Sequence, residues 1–164
     1  MIFRKLTKDD ANQLFSLIDK IENALVDKNF WLPLNDTAKD HFFDPGWTEF
    51  FGFFENGALI SAVALFYNEH EFGESADYLK ISKKGLAEVG RAMVRPDKRG
   101  QGLLLQMLEL LKEEARKRNI KTLLATVYPQ NLPSKKSFLS AGFTLEDTYT
   151  KSCGFERSIF LYSL

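Results

Sequence analysis

The feature that most constrains this chain is a glycine-containing turn between a strand-like segment and an amphipathic segment. The turn is Arg99-Gly100-Gln101-Gly102, and it separates the strand-like residues 86–94 from the helical pattern of residues 103–118. Two glycines allow the backbone to turn sharply and to approach a ligand closely. The first amides of the following helix lack partners within the helix, and the positive end of the helix dipole lies behind them. The turn therefore predicts a binding site for a phosphorylated ligand.

Length and composition exclude several classes of protein. The chain has 164 residues, 45% of them apolar, and we expect one domain over residues 1–164. The 22 Lys and Arg residues balance the 22 Asp and Glu residues. Because the net charge is zero, we expect no binding to nucleic acid or to an anionic membrane. The single cysteine, Cys153, excludes an intrachain disulfide. The sequence contains no cluster of Cys and His residues, so no metal site is predicted. The single cysteine and the lack of Cys/His clusters also favour a cytoplasmic location. No apolar run reaches eighteen residues, so we expect no membrane segment.

Apolar periodicity predicts the secondary structure of the first half of the chain. After a first strand at 2–6, the capping-box pattern Thr7-Lys8-Asp9-Asp10 opens a helix that we expect to end near Asp27. A short helix is predicted around residues 37–43. Asn56-Gly57 separates two apolar, aromatic segments, 47–54 and 59–67, which predicts an antiparallel hairpin. The polar segment 68–85 is predicted to be a loop, with a short helical turn as the alternative.

The second half alternates strands and helices. The predicted strands cover residues 86–94, 122–128, 143–146 and 157–161, and the predicted helices cover residues 103–118 and 133–140. Neither common nucleotide-binding design fits this order. A Rossmann fingerprint needs three glycines in an early βαβ unit, and a Walker A loop needs Gly-Lys-Ser/Thr where Gly102 is followed by Leu103.

The residues of this half resemble the GNAT superfamily of N-acetyltransferases. The resemblance rests on Ala87-Glu88-Val89, Met93-Val94-Arg95-Pro96, Arg99-Gly100-Gln101-Gly102-Leu103, Asn131-Leu132-Pro133-Ser134, Phe138 and Ala141-Gly142-Phe143. It implies an α/β (α+β) fold with a mixed, mostly antiparallel sheet of six to seven strands flanked by helices. It also implies that acetyl-coenzyme A is the co-substrate. The chain departs from the family motif at Leu104, where the family has Gly or Ala.

The resemblance also assigns residues to the co-substrate. It implies that backbone groups of Met93 and Val94 bind the pantetheine arm, and that Asn131 contacts this arm after the next strand. It implies that the turn and the start of the helix bind the pyrophosphate, and that Ser134 and Lys135 on the short helix lie beside the ligand. The turn residues implied are Arg99, Gly100, Gln101, Gly102, Leu103 and Leu104.

Acetyl transfer to an amine needs a base, because an ammonium must lose a proton before its nitrogen can attack. Glu88 lies where a subset of the family has a glutamate, and it is the candidate base; the alternative is a solvated residue or an ion pair with Arg91. The amide of Met93 or Val94 is the candidate oxyanion donor. Phe138 replaces the tyrosine that usually protonates the leaving thiolate. Candidate replacements for this acid are Tyr128, which we favour, Tyr149 and Cys153.

The acceptor is predicted only as a small-molecule or peptide amine. The segment from Phe30 to Trp47 mixes aromatic residues with carboxylates, which suits a cationic amine, although core and lid packing explains the aromatics as well. The carboxylates in and beside this segment are Asp36, Asp40, Asp44 and Glu49. Two other functions remain open: a coenzyme A-binding sensor that has lost catalysis, and an interaction domain that uses residues 30–54 in a homodimer.

Overall fold

The computed structural model describes all 164 residues, which form seven strands and five α-helices. In chain order these are β1 (Ile2–Lys5), α1 (Ala11–Asn23), α2 (Asp36–Asp40), β2 (Thr48–Glu55), β3 (Ala58–Phe66), α3 (Glu69–Leu79), β4 (Leu86–Val94), α4 (Leu103–Lys117), β5 (Thr122–Val127), α5 (Leu132–Ser140), β6 (Thr144–Thr150) and β7 (Glu156–Ser163). None of the helices has the length and hydropathy that a transmembrane span needs.

All seven strands belong to one sheet, in the spatial order β1-β2-β3-β4-β5-β7-β6. Every pair of neighbours is antiparallel except β4 and β5, which run parallel. The predicted mixed, mostly antiparallel sheet of six to seven strands flanked by helices is therefore confirmed.

The parallel pair stays joined only over its first half. β4 pairs with β5 from Leu86 to Val89, and the rest of β4 has no partner on that side. The register between β4 and β3 shifts just beyond this point, where Arg91 has a φ of 48°, so β4 carries a β-bulge there. The two strands consequently separate, and an opening runs between them to the end of β4.

Helices cover both faces of the sheet because its strands alternate their side chains between two apolar clusters. α4 packs Met107 and Leu111 against one face, in a cluster that includes Phe160 of β7. α1 packs its buried stripe on the opposite face, where the strands contribute a second cluster. α3 covers a neighbouring part of that face, with Phe72 and Ala76 against β5 and β7. Each fully buried Leu, Ile or Phe stabilises the fold by roughly 1.5–3 kcal/mol.

The predicted loop over residues 68–85 is wrong, because α3 occupies much of this segment. Asn68 caps the helix by accepting a hydrogen bond from the His70 amide at 2.9 Å, and acidic residues in the first turn favour the dipole. The buried stripe of α3 contains only Phe72, Ser75 and Ala76. So narrow an apolar face, interrupted by a serine, gives a weak periodic signal.

The largest differences from the predicted boundaries concern α1, α2 and β6. α1 ends at Asn23, four residues before Asp27. α2 spans Asp36–Asp40, because the Asn35 side chain accepts a hydrogen bond from the Ala38 amide at 2.7 Å and fixes the helix start. β6 continues past the predicted end at residue 146 to Thr150, since β7 pairs with it along this length.

Candidate active site

The opening between β4 and β5 leads into a cleft of about 630 Å³. Its walls are β4 from Glu88 to Ala92, β5 and the residues after it from Thr126 to Tyr128, and the loop of residues 30–35. Further lining side chains come from β3, α3, the start of α5, the β6–β7 loop and the start of β7. The cleft therefore combines residues from both halves of the chain.

Glu88 carries an unsatisfied carboxylate into this cleft. Its Oε2 atom is buried and has no hydrogen-bond partner. Burial raises the pKa of Glu88 to about 8; the positive charges of Lys151 and Arg91 oppose this shift, and the carboxylate of Glu71 adds to it. A carboxyl group with this pKa exchanges a proton near neutral pH, which is what a general base for an ammonium requires.

Arg91 does not form the ion pair with Glu88 that the sequence left open. Its guanidinium donates hydrogen bonds to the carbonyl oxygens of Leu32, at 2.5 Å, and Pro33, at 3.5 Å. It also lies 4.9 Å from the ring centre of Trp31. Arg91 thus holds the loop of residues 30–35 along the cleft. Arg91 lies at the bulge of β4.

The last residues of β4 expose backbone groups at the opening. The amide of Arg95, just after the strand, donates to Ile60 of β3 at 2.8 Å. Because successive residues of a strand direct their amides to opposite sides, the Val94 amide faces the open side and the Met93 amide faces β3. Of the two amides named from the sequence, the register favours Val94 as a donor to a ligand in the opening.

The glycine turn follows directly. Gly100 and Gly102 have φ values of 78° and 73°, a region that favours glycine, and a Cβ atom at Gly100 would meet no atom within 4 Å. The first helical hydrogen bond of α4 runs from the Gln106 amide to the Gly102 carbonyl, so the amides from Gln101 to Leu105 have no backbone acceptor. Arg99 is exposed beside them.

Leu104 does not fill this turn. Its side chain is half-buried and packs against the core cluster beneath α4. The nearest atom to a Cβ placed on Gly102 belongs to Gln106, at 3.9 Å. The departure from the family motif at Leu104 therefore leaves the amides of the turn accessible.

The start of α5 contributes to the same cleft. Asn131 and Ser134 line it, and the Asn131 side chain accepts a hydrogen bond from the Ser134 amide at 3.3 Å, which caps the helix. Lys135 follows on the same turn and is half-buried. Phe138 is buried, with its ring centre 5.0 Å from that of Phe143, and belongs to the core.

The three candidate acids are placed differently. Tyr128 lines the cleft and packs edge-on against Phe30, with ring centres 5.2 Å apart. Cys153 is exposed at the edge of the cleft. The hydroxyl of Tyr149 instead forms a hydrogen bond with Ser75 at 2.6 Å, and its ring stacks on Tyr78, outside the cleft lining. Tyr128 is thus the only tyrosine in the lining.

The carboxylates suggested for amine binding lie elsewhere. Glu49 is buried in an ion-paired network with Lys5 and Arg118 and accepts a hydrogen bond from Tyr67 at 2.8 Å. Burial opposes its ionisation, but these three partners outweigh burial and lower the pKa of Glu49 to about 2. None of the other three suggested carboxylates lines the cleft, namely Asp36, Asp40 and Asp44. That part of the acceptor hypothesis is wrong.

The acidic residues of the cleft come from α3 and β4. Glu71 and Glu74 of α3 line it together with Glu88. Glu74 also anchors the β6–β7 loop, because its carboxylate accepts hydrogen bonds from the amide and hydroxyl of Ser152 at 2.6 and 3.1 Å. Glu71 and Glu74 were not predicted as site residues because their segment was predicted to be a loop; the Asn68 cap was the available signal for the helix.

Comparison with known proteins identifies the class to which this fold and site belong. The model of the acetyltransferase (GNAT) family matches residues 14–143, which is most of the chain. The chain belongs to the GNAT acetyltransferase family. Members of this family use acetyl-coenzyme A. A search of the curated proteins gave no match.

Solved structures share the fold at low sequence identity. An N-acetyltransferase from Staphylococcus aureus Mu50 is 18% identical with a TM-score of 0.76, and the alignment covers 99% of this chain and 97% of that one. The ribosomal-protein-alanine N-acetyltransferase from Brucella melitensis is 20% identical with a TM-score of 0.75 over the full length of both chains. An aminoglycoside acetyltransferase in complex with coenzyme A and kanamycin is 15% identical with a TM-score of 0.74, covering 98% and 93%.

Proposed function

We propose that this protein transfers the acetyl group of acetyl-coenzyme A to a primary amine by direct attack, with both substrates bound together. The observation that carries the proposal is the buried, unpartnered Oε2 atom of Glu88 in the cleft beside the open end of β4. An unsatisfied buried carboxylate is unfavourable for folding, and a proton-accepting role explains its presence.

The residues present fit acetyl-coenzyme A. The unpaired amides from Gln101 to Leu105, at the positive end of α4, suit its pyrophosphate. The pantetheine arm, which carries amide groups, fits the unpaired edge of β4 up to Val94, as an added strand would. Asn131 and Ser134 line the same cleft, and Lys135 follows them on α5, so this helix start would face the arm. Acetyl-coenzyme A supplies the acetyl group as a thioester.

The side chains of the cleft supply the proton transfers. Glu88 accepts a proton from the acceptor ammonium, directly or through water, and frees the nitrogen lone pair. The Val94 amide donates a hydrogen bond to the carbonyl oxygen as the C–N bond forms. Tyr128 donates a proton to the sulfur as the C–S bond breaks, and the second proton of the attacking nitrogen passes to the Tyr128 phenolate, directly or through water, which leaves a neutral amide. No side chain is placed convincingly as a covalent nucleophile, so a single displacement is sufficient.

The amine is a small molecule or a peptide terminus in this proposal. Both kinds of acceptor occur in the names of the structural neighbours, in an aminoglycoside acetyltransferase and a ribosomal-protein-alanine acetyltransferase. Thiol release in the presence of acetyl-coenzyme A and a panel of amines, amino acids and peptides tests for turnover. Binding of acetyl-coenzyme A without turnover of any acceptor would instead support the sensor function.

A matched pair of glycine variants tests the cofactor site. Gly102→Ala is expected to weaken acetyl-coenzyme A binding by at least about tenfold, because its methyl group enters the space that a pyrophosphate needs beside the amides. Gly57→Ala is the control: Gly57 has a similar φ of 78° and open surroundings but lies in the β2–β3 turn. Both variants are expected to lose about 1 kcal/mol of stability. Equal dissociation constants for the two variants, measured by calorimetry, would contradict the assignment.

A further inference from the structure

Arg157, at the start of β7, is a buried cation without an anionic partner. It is 3% exposed and lines the cleft. Its only side-chain hydrogen bond runs to the carbonyl oxygen of Glu156, at 2.7 Å, and no carboxylate pairs with it. A guanidinium has five N–H donors, so most of its hydrogen-bonding capacity is unused. A buried charge of this kind is unfavourable unless a ligand completes it.

Aromatic rings hold the guanidinium of Arg157 in place. Its central carbon lies 5.7 Å from the ring centre of Tyr128 and 5.5 Å from that of Phe155. Contacts of this kind orient the planar group and leave its edge, which carries the donors, free. The free edge of a guanidinium matches the two oxygens of a carboxylate.

We propose that Arg157 binds a carboxylate of the acceptor, and that the acceptor is an amino acid or a similar small amine carrying a carboxylate. This inference rests on the proposed function, because it assigns the two charged groups of the acceptor to the carboxylate of Glu88 and the guanidinium of Arg157, neither of which has an ion-pair partner. The ammonium lies at Glu88 and the carboxylate at Arg157.

The separation of Glu88 and Arg157 leaves room for such a molecule. Glu88 is level with Leu124 of β5, whereas Ser158 is level with Val127, which places Arg157 about four residues further along β5. Four residues of a strand span about 13 Å, and β7 lies two strands from β4, which adds about 10 Å sideways, so the two backbone positions are about 16 Å apart. The side chains of Glu88 and Arg157 both line the cleft within this distance. Glu88 and Arg157 form no ion pair with each other.

The other cations of the cleft do not replace Arg157. Arg91 donates to the loop carbonyls of Leu32 and Pro33, and Lys151 acts electrostatically on Glu88. Arg157 is the only fully buried cation of the lining, whereas Lys151, which also has no ion-pair partner, is partly exposed.

The test compares acceptors that differ only in the carboxylate: a panel of amino acids, their carboxamides, and the corresponding amines without the carboxyl group, with phosphoethanolamine as the phosphate arm. The wild-type protein is expected to acetylate at least one amino acid with a kcat/KM roughly 10- to 100-fold above that of its carboxamide. Arg157→Met should abolish this preference, and Arg157→Lys should restore it partly. Arg116→Met, which removes an exposed arginine of α4 outside the cleft, should leave it unchanged.

A second readout does not need turnover. Calorimetry with coenzyme A present compares N-acetyl amino acids with N-acetyl amino acid amides, and wild type should bind the acids more tightly. Carboxylate-selective binding without turnover would refute the proposed transfer and retain the carboxylate site. Turnover that ignores the carboxylate, or that prefers phosphoethanolamine, would retain the transfer and overturn the inference. A preference that survives in folded Arg157→Met, judged by unchanged acetyl-coenzyme A affinity, would overturn it too.

Discussion

Glu88→Gln should remove activity and stabilise the protein at the same time. Its carboxyl group has a pKa of about 8 in the folded state against an ordinary value of 4.5, with burial as the main cause. Between these two values the folded protein keeps a proton that the unfolded chain has released. The unfolded state therefore gains stability relative to the folded state as pH rises through this interval, and glutamine removes the effect because it does not titrate.

The pKa values give the size of this effect. At 1.36 kcal/mol per pKa unit, ionisation of Glu88 in the unfolded chain lowers the free energy of unfolding by about 1 kcal/mol at pH 5 and about 3 kcal/mol at pH 7. Glu88→Gln should recover these amounts. For a chain of this length, the gain at pH 7 corresponds to a rise in Tm of roughly 6–12 °C.

Two measurements check the prediction. Urea unfolding of wild type and variant at pH 5 and pH 7 gives the stability difference at each pH. The kcat/KM of the wild type should rise about tenfold between pH 7 and pH 9, since the ionised fraction of a group with a pKa near 8 rises by that factor. An acceptor amine with a pKa near 10.4 keeps its own titration separate from this limb.

The two readouts refute different parts of the reasoning. A stability gain that is equal at pH 5 and pH 7 would show that Glu88 has an ordinary pKa in the folded protein. A variant that keeps full activity over the whole pH range would show that Glu88 is not the base, whatever its pKa.

Two further predictions concern Tyr128 and the Glu49 network. Tyr128→Phe should lower kcat by roughly 10- to 100-fold, because a general acid is lost. Tyr149→Phe is the control and should leave kcat unchanged, because the Tyr149 hydroxyl forms a hydrogen bond with Ser75 outside the cleft. Equal rates for the two variants would rule out Tyr128 as the acid. Arg118→Met should cost about 3 kcal/mol in urea unfolding at pH 7, because it leaves the buried carboxylate of Glu49 without its bidentate partner. The control Arg116→Met breaks only an exposed pair with Glu113 and should cost less than about 0.5 kcal/mol. Because its partners hold the pKa of Glu49 near 2, the stabilisation is complete above pH 4.5 and declines as pH falls towards 2.

Local patterns predicted the parts of the fold that bind through the backbone. The bounds of β4 and the start of α4 agree with the structure, because a strand ended by Pro96 and a helix with a regular apolar stripe are both defined by nearby residues. Glycine at positions 100 and 102 permits the positive φ values that the turn adopts. Backbone amides need no particular side chains, so a short motif is enough to indicate the cradle.

Side chains that meet across the sheet were not predictable in the same way. Glu71 lies on a helix with few buried residues, and Arg157 lies in the last strand, 69 positions after Glu88. Their proximity to one cleft depends on the order β4-β5-β7 and on the separation of β4 from β5. No local spacing encodes either feature. Glu49 shows the converse case, since its aromatic neighbours in sequence suggested ligand binding while its partners in space hold it in the core.

The contrast between binding through backbone groups and binding through side chains explains how acceptor specificity arises in the cleft. The co-substrate is bound mainly by backbone groups of one continuous segment, which tolerates a change such as Leu104 because that side chain packs into the core. The acceptor instead meets isolated side chains from separate elements, above all Glu88 and Arg157. A substitution at Arg157 leaves every contact of the glycine turn intact, so acceptor choice is able to change while the co-substrate site does not. Specificity in this protein is therefore expected to depend on the few unsatisfied charges of the cleft, and the Arg157 variants measure that dependence directly.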